Sequence, residues 1–408
     1  MTSDASQSEL SPLPQYAHAP LLVLIAACLM MQPLSTDLYL ASLPRMAADF
    51  RVPAATVQLT LSLFVIGFGA AQLVIGPLSD RFGRRPVLLG GLALYLAATV
   101  VCGMAPSIAI LIFARFLQAL GCCTAVVVAR TIVRDAYAPE HGVRVIARAS
   151  TWLSLAPLFG PILGSYLQVG FGWRAAFVAL GLLSAGLLAL AATRLPETNP
   201  YKNAHATELA GLLANYRVVL GSAEFWAHAL PGALSYGAIF AFISGSSFVL
   251  IRVLDVPTAW FGYCFAFGVS GYMAGTLLCR RLLARLGTRL TFRIGGTLSL
   301  ASGALFLAAA AAGVVHWWLV LAAMFLTMGA HGINFPIAQS GSVMPFPLQA
   351  GTAAGLMGAL TMLIAFLTGS VVGATYNGTL YPLALISCAL GVLIFCAMHA
   401  LSLPMEAP

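Results

Sequence analysis

Long blocks of apolar residues, each about 20 residues in length, recur along the whole chain. A helix of about 20 residues crosses the ~30 Å apolar core of a lipid bilayer at ~1.5 Å per residue. Twelve blocks meet this length, so the pattern predicts an all-α membrane protein with twelve transmembrane helices. The predicted spans are Ala19–Ala41, Val57–Leu78, Pro86–Gly103, Ile108–Ile132, Ile146–Val169, Ala175–Thr193, Phe225–Leu250, Trp260–Arg280, Leu290–Gly313, Trp317–Gly341, Ala350–Thr375 and Tyr381–Leu403.

One long hydrophilic stretch interrupts this pattern at the middle of the chain, between the sixth and the seventh span. It begins as a loop rich in proline and asparagine and continues over Thr207–Leu220, which we predict to form a short surface helix. Six helices on each side of one linker is the layout of transporters whose two halves rock against each other. We therefore predict an N-terminal six-helix bundle over residues 1–193, a linker over residues 194–223 and a C-terminal six-helix bundle over residues 224–408.

Charged side chains are scarce and unevenly placed. Only 8% of the residues are charged and 60% are apolar, whereas about a quarter of the residues of a soluble domain are charged. Most of the 20 lysines and arginines lie in one set of alternate loops that includes the linker. Because cytoplasmic loops of membrane proteins carry such an excess, we predict that the linker and both termini are cytoplasmic. The net charge of +8 is thus a topology signal, and we expect no nucleic-acid partner.

Neither the cysteines nor any sequence motif indicates catalytic chemistry. The eight cysteines lie in apolar stretches without a metal-binding CxxC pair, as expected of small buried residues. The chain contains no GxSxG, no HExxH and no phosphate-binding loop. A membrane enzyme or receptor would need clustered histidines and acids at one membrane face, or a soluble signalling domain. We therefore predict that the protein is not an enzyme, and that it has no metal and no cofactor.

The loop after the second span reads GPLSDRFGRRP, from Gly76 to Pro86. Its second glycine permits a tight turn, its last proline can start the next helix, and its aspartate can pair with the arginines. Taken alone, the loop could be a basic cytoplasmic turn. The string also resembles the signature loop of the major facilitator superfamily, which acts there as a cytoplasmic latch between the two halves. The latch residues implied by this resemblance are Gly76, Asp80, Arg81, Gly83, Arg84 and Arg85.

Two further motifs fall inside predicted spans. The fourth span contains Arg115, and an arginine at membrane depth indicates a functional site because its burial is costly. In the fifth span Pro161 kinks the helix, while Gly160 and Gly164 permit close approach of a neighbouring helix. Both stretches resemble major facilitator motifs, and the second is typical of drug antiporters as opposed to sugar symporters. In each motif one glycine of the family pattern is replaced, by alanine in the first and by serine in the second.

The segments Pro33–Pro44 and Gln58–Leu63 narrow the resemblance. Both are similar to the bicyclomycin/chloramphenicol-resistance (Bcr/CflA) branch of drug:proton antiporters, with Ala41 in place of the usual proline. The resemblance covers essentially the whole chain. It implies the superfamily fold, with two pseudo-symmetric six-helix bundles, in a bacterial inner membrane.

The one acid inside a predicted span is Asp37, near the outer end of the first helix. Arg115 lies at a similar depth in the fourth span, and in the family fold both helices line the central cavity. An aspartate there is subject to desolvation and to a nearby positive charge, so it can titrate as the cavity opens and closes. We predict that Asp37 carries the coupled proton and that Arg115 tunes it and holds the helix. The alternative is a static tie between two helices.

The rest of the candidate substrate pocket is mostly aromatic. Such a lining suits drug-sized amphipathic molecules, which need apolar area and a few hydrogen bonds. The alternative for each aromatic residue is a position facing lipid or a neighbouring helix, and for the histidine a hydrogen bond to a neighbouring helix. The candidate pocket residues are Tyr39, Gln118, Tyr236, Phe240, Phe265, His331 and Asn334.

These observations predict proton-coupled efflux, by alternating access, of small and mostly neutral amphipathic drugs such as chloramphenicol- or bicyclomycin-like compounds. Neutral substrates are favoured because Asp37 is the only acid predicted at membrane depth and Arg115 offsets it. The alternative is a carrier of the same fold for a metabolite such as a nucleoside, a sugar or an amino-acid product, which would usually bring more polar and charged cavity residues. The expected partners are the small-molecule substrate, protons and the lipid bilayer, and we expect a monomer.

Overall fold

The computed structural model describes residues 18–137, 139–199 and 202–400, and all the regular secondary structure in these ranges is helical. Short 3₁₀ turns at Leu40–Ser42 and Pro347–Gln349 and a π-helical segment at Phe248–Val253 join the longer elements. The α-helices are α1 (His18–Asp37), α2 (Leu43–Phe50), α3 (Ala54–Phe82), α4 (Arg84–Met104), α5 (Ile108–Ala136), α6 (Pro139–Phe171), α7 (Arg174–Arg194), α8 (Leu209–Leu220), α9 (Ala223–Ser247), α10 (Thr258–Ala311), α11 (Trp317–Val343), α12 (Ala350–Thr375) and α13 (Tyr381–Ala400).

The helices cross the membrane twelve times, which confirms the predicted number of spans. Ten helices within the described ranges have the length and apolar composition of a membrane span. One of them, α10, has 54 residues, about 80 Å at 1.5 Å per residue and more than twice the thickness of a bilayer core. At Gly287 its backbone leaves the helical region, with φ 71° and ψ 176°, so the residues before and after it form two crossings. Helix α6, with 33 residues, adds the remaining crossing.

Helix α1 ends earlier than the predicted first span, at Asp37 and not at Ala41, and gives way to a 3₁₀ turn and then to α2. Because it ends there, the carbonyl groups of its last turn have no partner within the helix. One of them, the carbonyl of Ser35, accepts a hydrogen bond from Arg115 (2.9 Å). The early end of the helix thus places an acid and free backbone acceptors together in the protein interior.

We call the helices before the linker, α1–α7, the first half and those after it, α9–α13, the second half. The linker contains α8, whose bounds nearly match those of the predicted surface helix. The Tyr216 hydroxyl of α8 donates to the Leu73 carbonyl of α3 (2.8 Å). The end of the molecule that holds the linker and the loop between α3 and α4 is called the linker side. The opposite end is called the far side.

The two halves contact each other chiefly through α3 with α12 and through α6 with α10. On the far side two hydrogen bonds join the halves: Arg252 donates to the Pro44 carbonyl (2.8 Å) and Gln58 donates to the Ser244 carbonyl (3.0 Å). On the linker side the halves flank a cavity of about 600 Å³. The molecule is therefore closed at the far side and open at the linker side.

Candidate functional site

Asp37 is a buried carboxylate at the end of α1, with 4% of its surface exposed. Its side chain accepts a hydrogen bond from the Thr36 hydroxyl (2.8 Å), and none of the described basic side chains forms an ion pair with it. Helix α6 packs on it at Gly160, where a β-carbon would lie 3.5 Å from that of Asp37. An acid so enclosed is charged or neutral according to whether water or a counter-charge reaches it.

The second half presents Tyr236 of α9 to this acid. Tyr236 is near enough to Asp37 for the carboxylate to act electrostatically on its phenol, and its hydroxyl contacts the Gln32 side chain of α1. Its ring packs at 5.9 Å from that of His331 and at 6.5 Å from that of Phe240, measured between centroids. The interface between the halves therefore combines an acid, a phenol and aromatic surface.

His331 of α11 lies in an aromatic cluster behind Tyr236. Its ring stacks on Phe335 at a centroid distance of 4.8 Å and lies 5.8 Å from the ring of Tyr272. Its Nδ1 is 3.0 Å from the Ser235 hydroxyl, so the hydrogen bond to a neighbouring helix is present. This bond fixes the ring orientation and leaves the other ring nitrogen, Nε2, without a hydrogen-bond partner among the described residues.

Asn334 and Phe265 are buried inside the second half. The Asn334 amide donates to the hydroxyls of Ser299 (3.2 Å) and Ser235 (3.5 Å), and the side chain is fully buried. Phe265 packs against Phe261 with 1% of its surface exposed. The structure thus brings the rings of Tyr236, Phe240 and His331 together, and it places Asn334 and Phe265 among packed side chains of the second half.

Arg115 forms no ion pair with Asp37, so the alternative of a static tie between these two side chains is absent from the structure. Its buried guanidinium donates to the carbonyls of Ser35 (2.9 Å) and Thr60 (3.4 Å) and to the Gln118 side chain (2.5 Å). It also lies over the rings of Tyr39 and Phe64, at 4.6 and 4.2 Å from their centroids. Carbonyl acceptors and aromatic faces can hold a buried cation without an acid.

Tyr39 and Gln118 surround Arg115 inside the first half and do not line the interface between the halves. The Tyr39 hydroxyl bonds to that of Thr60 (3.2 Å), and Gln118 donates to the Thr99 hydroxyl (2.7 Å). Both side chains are completely buried. The sequence predicts them as pocket residues, whereas the structure makes them part of the support for Arg115.

The predicted antiporter motif connects Asp37 to the second half. Gly164 packs so closely on the Leu38 carbonyl that a β-carbon there would overlap it. On the other side of α6, Gly262 of α10 packs directly on the backbone of Pro161, and its amide donates to the Ser165 hydroxyl (3.0 Å). The serine that replaces a family glycine therefore makes a hydrogen bond between the halves.

The loop between α3 and α4 is organised around Arg84, whose side chain is buried. Arg84 pairs with Asp80 (2.6 Å) and with Asp135 at the end of α5 (2.7 Å). The Glu197 carboxylate of the linker accepts the backbone N–H groups of Arg84 (2.8 Å) and Arg85 (3.3 Å), which caps the start of α4. Gly83 has φ 105°, and Glu197 occupies the space that a side chain there would need.

This loop binds the linker in the structure. The backbone N–H of Asn203 donates to the Asp80 carbonyl (3.1 Å), and the Arg81 guanidinium donates to the Thr207 hydroxyl (2.5 Å). Gly76 lies in the wall of the linker-side cavity, opposite the start of α12. This loop therefore holds the linker to the first half, and the linker-side cavity lies between it and the start of α12.

Sequence reasoning missed Gln32 and Tyr272 near the site, and Asp135 and Glu197 at the latch. Gln32 is a polar residue inside an apolar span, which is a usable signal. The two acids lie outside the motif, so only the folded chain shows that they belong to it. No group of three or more metal-ligating side chains occurs in the described ranges.

The fold and these motifs define the class of protein. The sequence profile of the Major Facilitator Superfamily matches residues 25–369, and the chain belongs to this family of membrane transporters. Its fold is similar to the crystal structure of the peptide transporter POT, with a TM-score of 0.75, 14% identity and 96% of each chain covered. At that identity the likeness concerns the fold alone.

The names of three similar proteins refer to drug resistance. The chain is 27% identical to the bicyclomycin resistance protein homolog of Haemophilus influenzae, over 87% of this chain and 89% of the relative. It is 30% identical to multidrug resistance protein D of Escherichia coli, over 83% and 85% of the two chains. It is 29% identical to the chloramphenicol resistance protein of Pseudomonas aeruginosa, over 83% and 80%.

Proposed function

We propose that this transporter exports small, mostly neutral amphipathic drugs in exchange for protons. The observation that carries the proposal is a buried acid without a basic partner, Asp37, which faces an aromatic cluster across the interface between the halves. The acid supplies a site for one proton, and the aromatic surface of Tyr236, Phe240 and Phe335 supplies apolar area for a drug-sized molecule. The drug-resistance names of the relatives support the same function.

The direction of transport follows from which end of the molecule faces the cytoplasm. We assign the linker side to the cytoplasm, together with both termini, because most of its loops carry the excess of arginine. A drug enters from that side while the far side is closed, and rocking of the six-helix halves about the linker exposes it to the other face. The protein works as a monomer, since each chain contains both halves.

Proton coupling requires that the protonation of Asp37 depend on which side of the molecule is open. Water that enters from the far side reaches the end of α1 and favours exchange of its proton with the periplasm, where protons are abundant. When the linker side opens, the proton leaves to the cytoplasm and the emptied pocket accepts a drug. Arg115 keeps the end of α1 in place through the Ser35 carbonyl, so it acts as a positioning residue.

A resistance panel tests the proposal. The protein is expressed in an efflux-deficient bacterial host and challenged with chloramphenicol, bicyclomycin, sulfonamides and a rigid bis-quaternary dye. We expect raised inhibitory concentrations and lower accumulation for neutral compounds, and no protection against the dication, because one acid cannot neutralise two buried charges. Protection by the Asp37→Asn variant equal to that by the wild type, or no protection by either, would contradict the proposal.

A further inference from the structure

The linker-side cavity is lined by residues distant from the Asp37 site. Its walls are α3 from Gln72 to Asp80, the end of α5, the linker with α8, and the start of α12. Neither Asp37 nor the aromatic cluster of Tyr236 and His331 lines it. At about 600 Å³ it is large enough for a small amphiphilic molecule. The open linker side therefore offers a place for a ligand that shares no lining residue with the Asp37 site.

The charges in this cavity are unbalanced. Arg130 and Arg134 lie one turn apart on α5, and both are exposed to the cavity. Among the described residues of the lining, the one acid is Asp80, which is already paired with Arg84 at 2.6 Å. Arg134 reaches Asp135 (3.6 Å) and Asp80 (4.0 Å) only at longer distances. Arg130 has no ion pair and no hydrogen bond with any described residue.

Other groups in the lining of the cavity also favour the binding of an anion. Helix α12 starts at Ala350 beside the cavity, and no side chain caps its first turn. The first backbone N–H groups of a helix lack internal partners and carry partial positive charge. The amides of Asn203 and Asn215 add hydrogen-bond donors in the same wall. These groups and the Arg130 guanidinium belong to the lining of one cavity.

We propose that the cavity is a second binding site, for the single acidic group of an amphiphile, either a phosphate or a carboxylate. Arg130 would hold the acidic group with two parallel hydrogen bonds, the geometry that guanidinium offers to these anions. Leu73, Val127 and Leu348 provide apolar wall for the attached chain. The ligand is either the headgroup of an anionic lipid or an anionic small molecule taken from the cytoplasm.

Binding to the purified full-length protein in a neutral detergent tests the site. The probes are decyl phosphate and decanoate, with decyl maltoside as the uncharged control, and affinity is measured by microscale thermophoresis at two salt concentrations. We expect the anions to bind more tightly than the neutral probe, with affinity that falls as salt rises. We expect Arg130→Gln to weaken anion binding about tenfold, and Arg130→Lys to weaken it less because the charge remains.

Arg285→Gln is the matched control, because Arg285 is an exposed arginine outside the cavity and its replacement removes the same charge. An unchanged affinity in this variant together with the loss in Arg130→Gln supports the site. Equal losses in the two variants, or equal binding of the neutral probe, would overturn it by showing a general surface effect. Because no transport is measured, the result is independent of drug export.

The source of the ligand is decided by native mass spectrometry of the protein extracted from membranes. Retention of phosphatidylglycerol by the wild type but not by Arg130→Gln identifies a lipid headgroup. Competition of decyl phosphate with a carboxylate-bearing drug, with no lipid retained, identifies a small molecule. Retention of the same lipids by both proteins, with no competition by any anion, counts against the site.

Discussion

The two ends of the interface between the halves are built in different ways. The far side is closed by backbone contacts and by hydrogen bonds from Gln58, Arg252 and Gly262 to acceptors of the other half. The linker side has a wide cavity, and its ion pairs stay within the first half around Arg84. Closure at the far side thus depends on close backbone packing and on hydrogen bonds between the halves, whereas ion pairs on the linker side organise the loop and the linker.

Closure of the far side leaves several polar groups unsatisfied, which limits how much the closed state is stabilised. Several polar atoms near the far side are fully buried and have no hydrogen-bond partner among the described residues. Leaving such a group unsatisfied costs about 1–3 kcal/mol, which is recovered when water enters. An interface with such unsatisfied groups can close and reopen, as alternating access requires. The atoms are Oε1 of Gln58 and the hydroxyls of Ser62, Ser244, Ser246 and Ser247.

The largest effect is expected from Gly262→Ala, because the new β-carbon would overlap the backbone of Ile162 and Pro161. Overpacking costs about 1–3 kcal/mol, so the closed far side should lose about tenfold or more in population. The readout is labelling of Ser244→Cys by an impermeant maleimide, in a protein whose eight native cysteines are replaced. Labelling should rise at least tenfold.

Gly90→Ala is the control for this substitution. Gly90 has no neighbouring atom within 4 Å of the new β-carbon, and it lies in α4. The cysteine at position 244 should be labelled in the Gly90→Ala variant at the same rate as in the parent protein. Equal labelling of the two glycine variants would show that close packing at Gly262 does not hold the far side shut.

A smaller effect is expected at the latch, where Asp80→Ala and Arg84→Ala should slow turnover about tenfold and leave the substrate dissociation constant within about twofold. The Arg84–Asp135 pair is buried, and breaking such a pair costs about 3 kcal/mol, so Arg84→Ala should also lower the melting temperature. Transport rate and equilibrium binding are measured on the same preparations. Lost affinity with an unchanged rate would contradict a role in rocking the halves.

The smallest effect is expected from Ser62→Ala, which removes a buried hydroxyl without a partner. Its loss should stabilise the closed far side by about 1 kcal/mol and lower labelling at position 244 several-fold. Ser387→Ala is the control, because the Ser387 hydroxyl already bonds to the Leu383 carbonyl inside the second half. Faster labelling in Ser62→Ala would show that this hydroxyl does not oppose closure.

The span pattern and the isolated acid were predictable because both depend on composition within one helix. Asp37 stands out in an apolar block, and the long apolar blocks set the number of crossings. The partner of Arg115 was not predictable in this way. The free carbonyl of Ser35 exists only because α1 stops at Asp37, which required the helix end to be placed within two residues.

The latch shows the same limit. Its central arginine is in the motif, but the carboxylates of Asp135 and Glu197 come from the end of α5 and from the linker. The sequence separation between these acids and Arg84 hides their contact, and no periodic pattern marks either of them. Residues that a motif contains could therefore be identified, whereas residues that only support it required the packed helices.

The central claim, that Asp37 couples export to protons, is tested most directly by transport in proteoliposomes with an imposed pH gradient. Wild type, Asp37→Asn and the control Asp49→Asn are reconstituted at equal amounts and supplied with a drug from the resistance panel. Asp49 is an appropriate control because it lies in α2 and pairs with Arg45 (2.9 Å). The account predicts that Asp37→Asn inserts normally but loses pH-driven transport, while Asp49→Asn transports like the wild type. Full pH-driven transport by Asp37→Asn would contradict it.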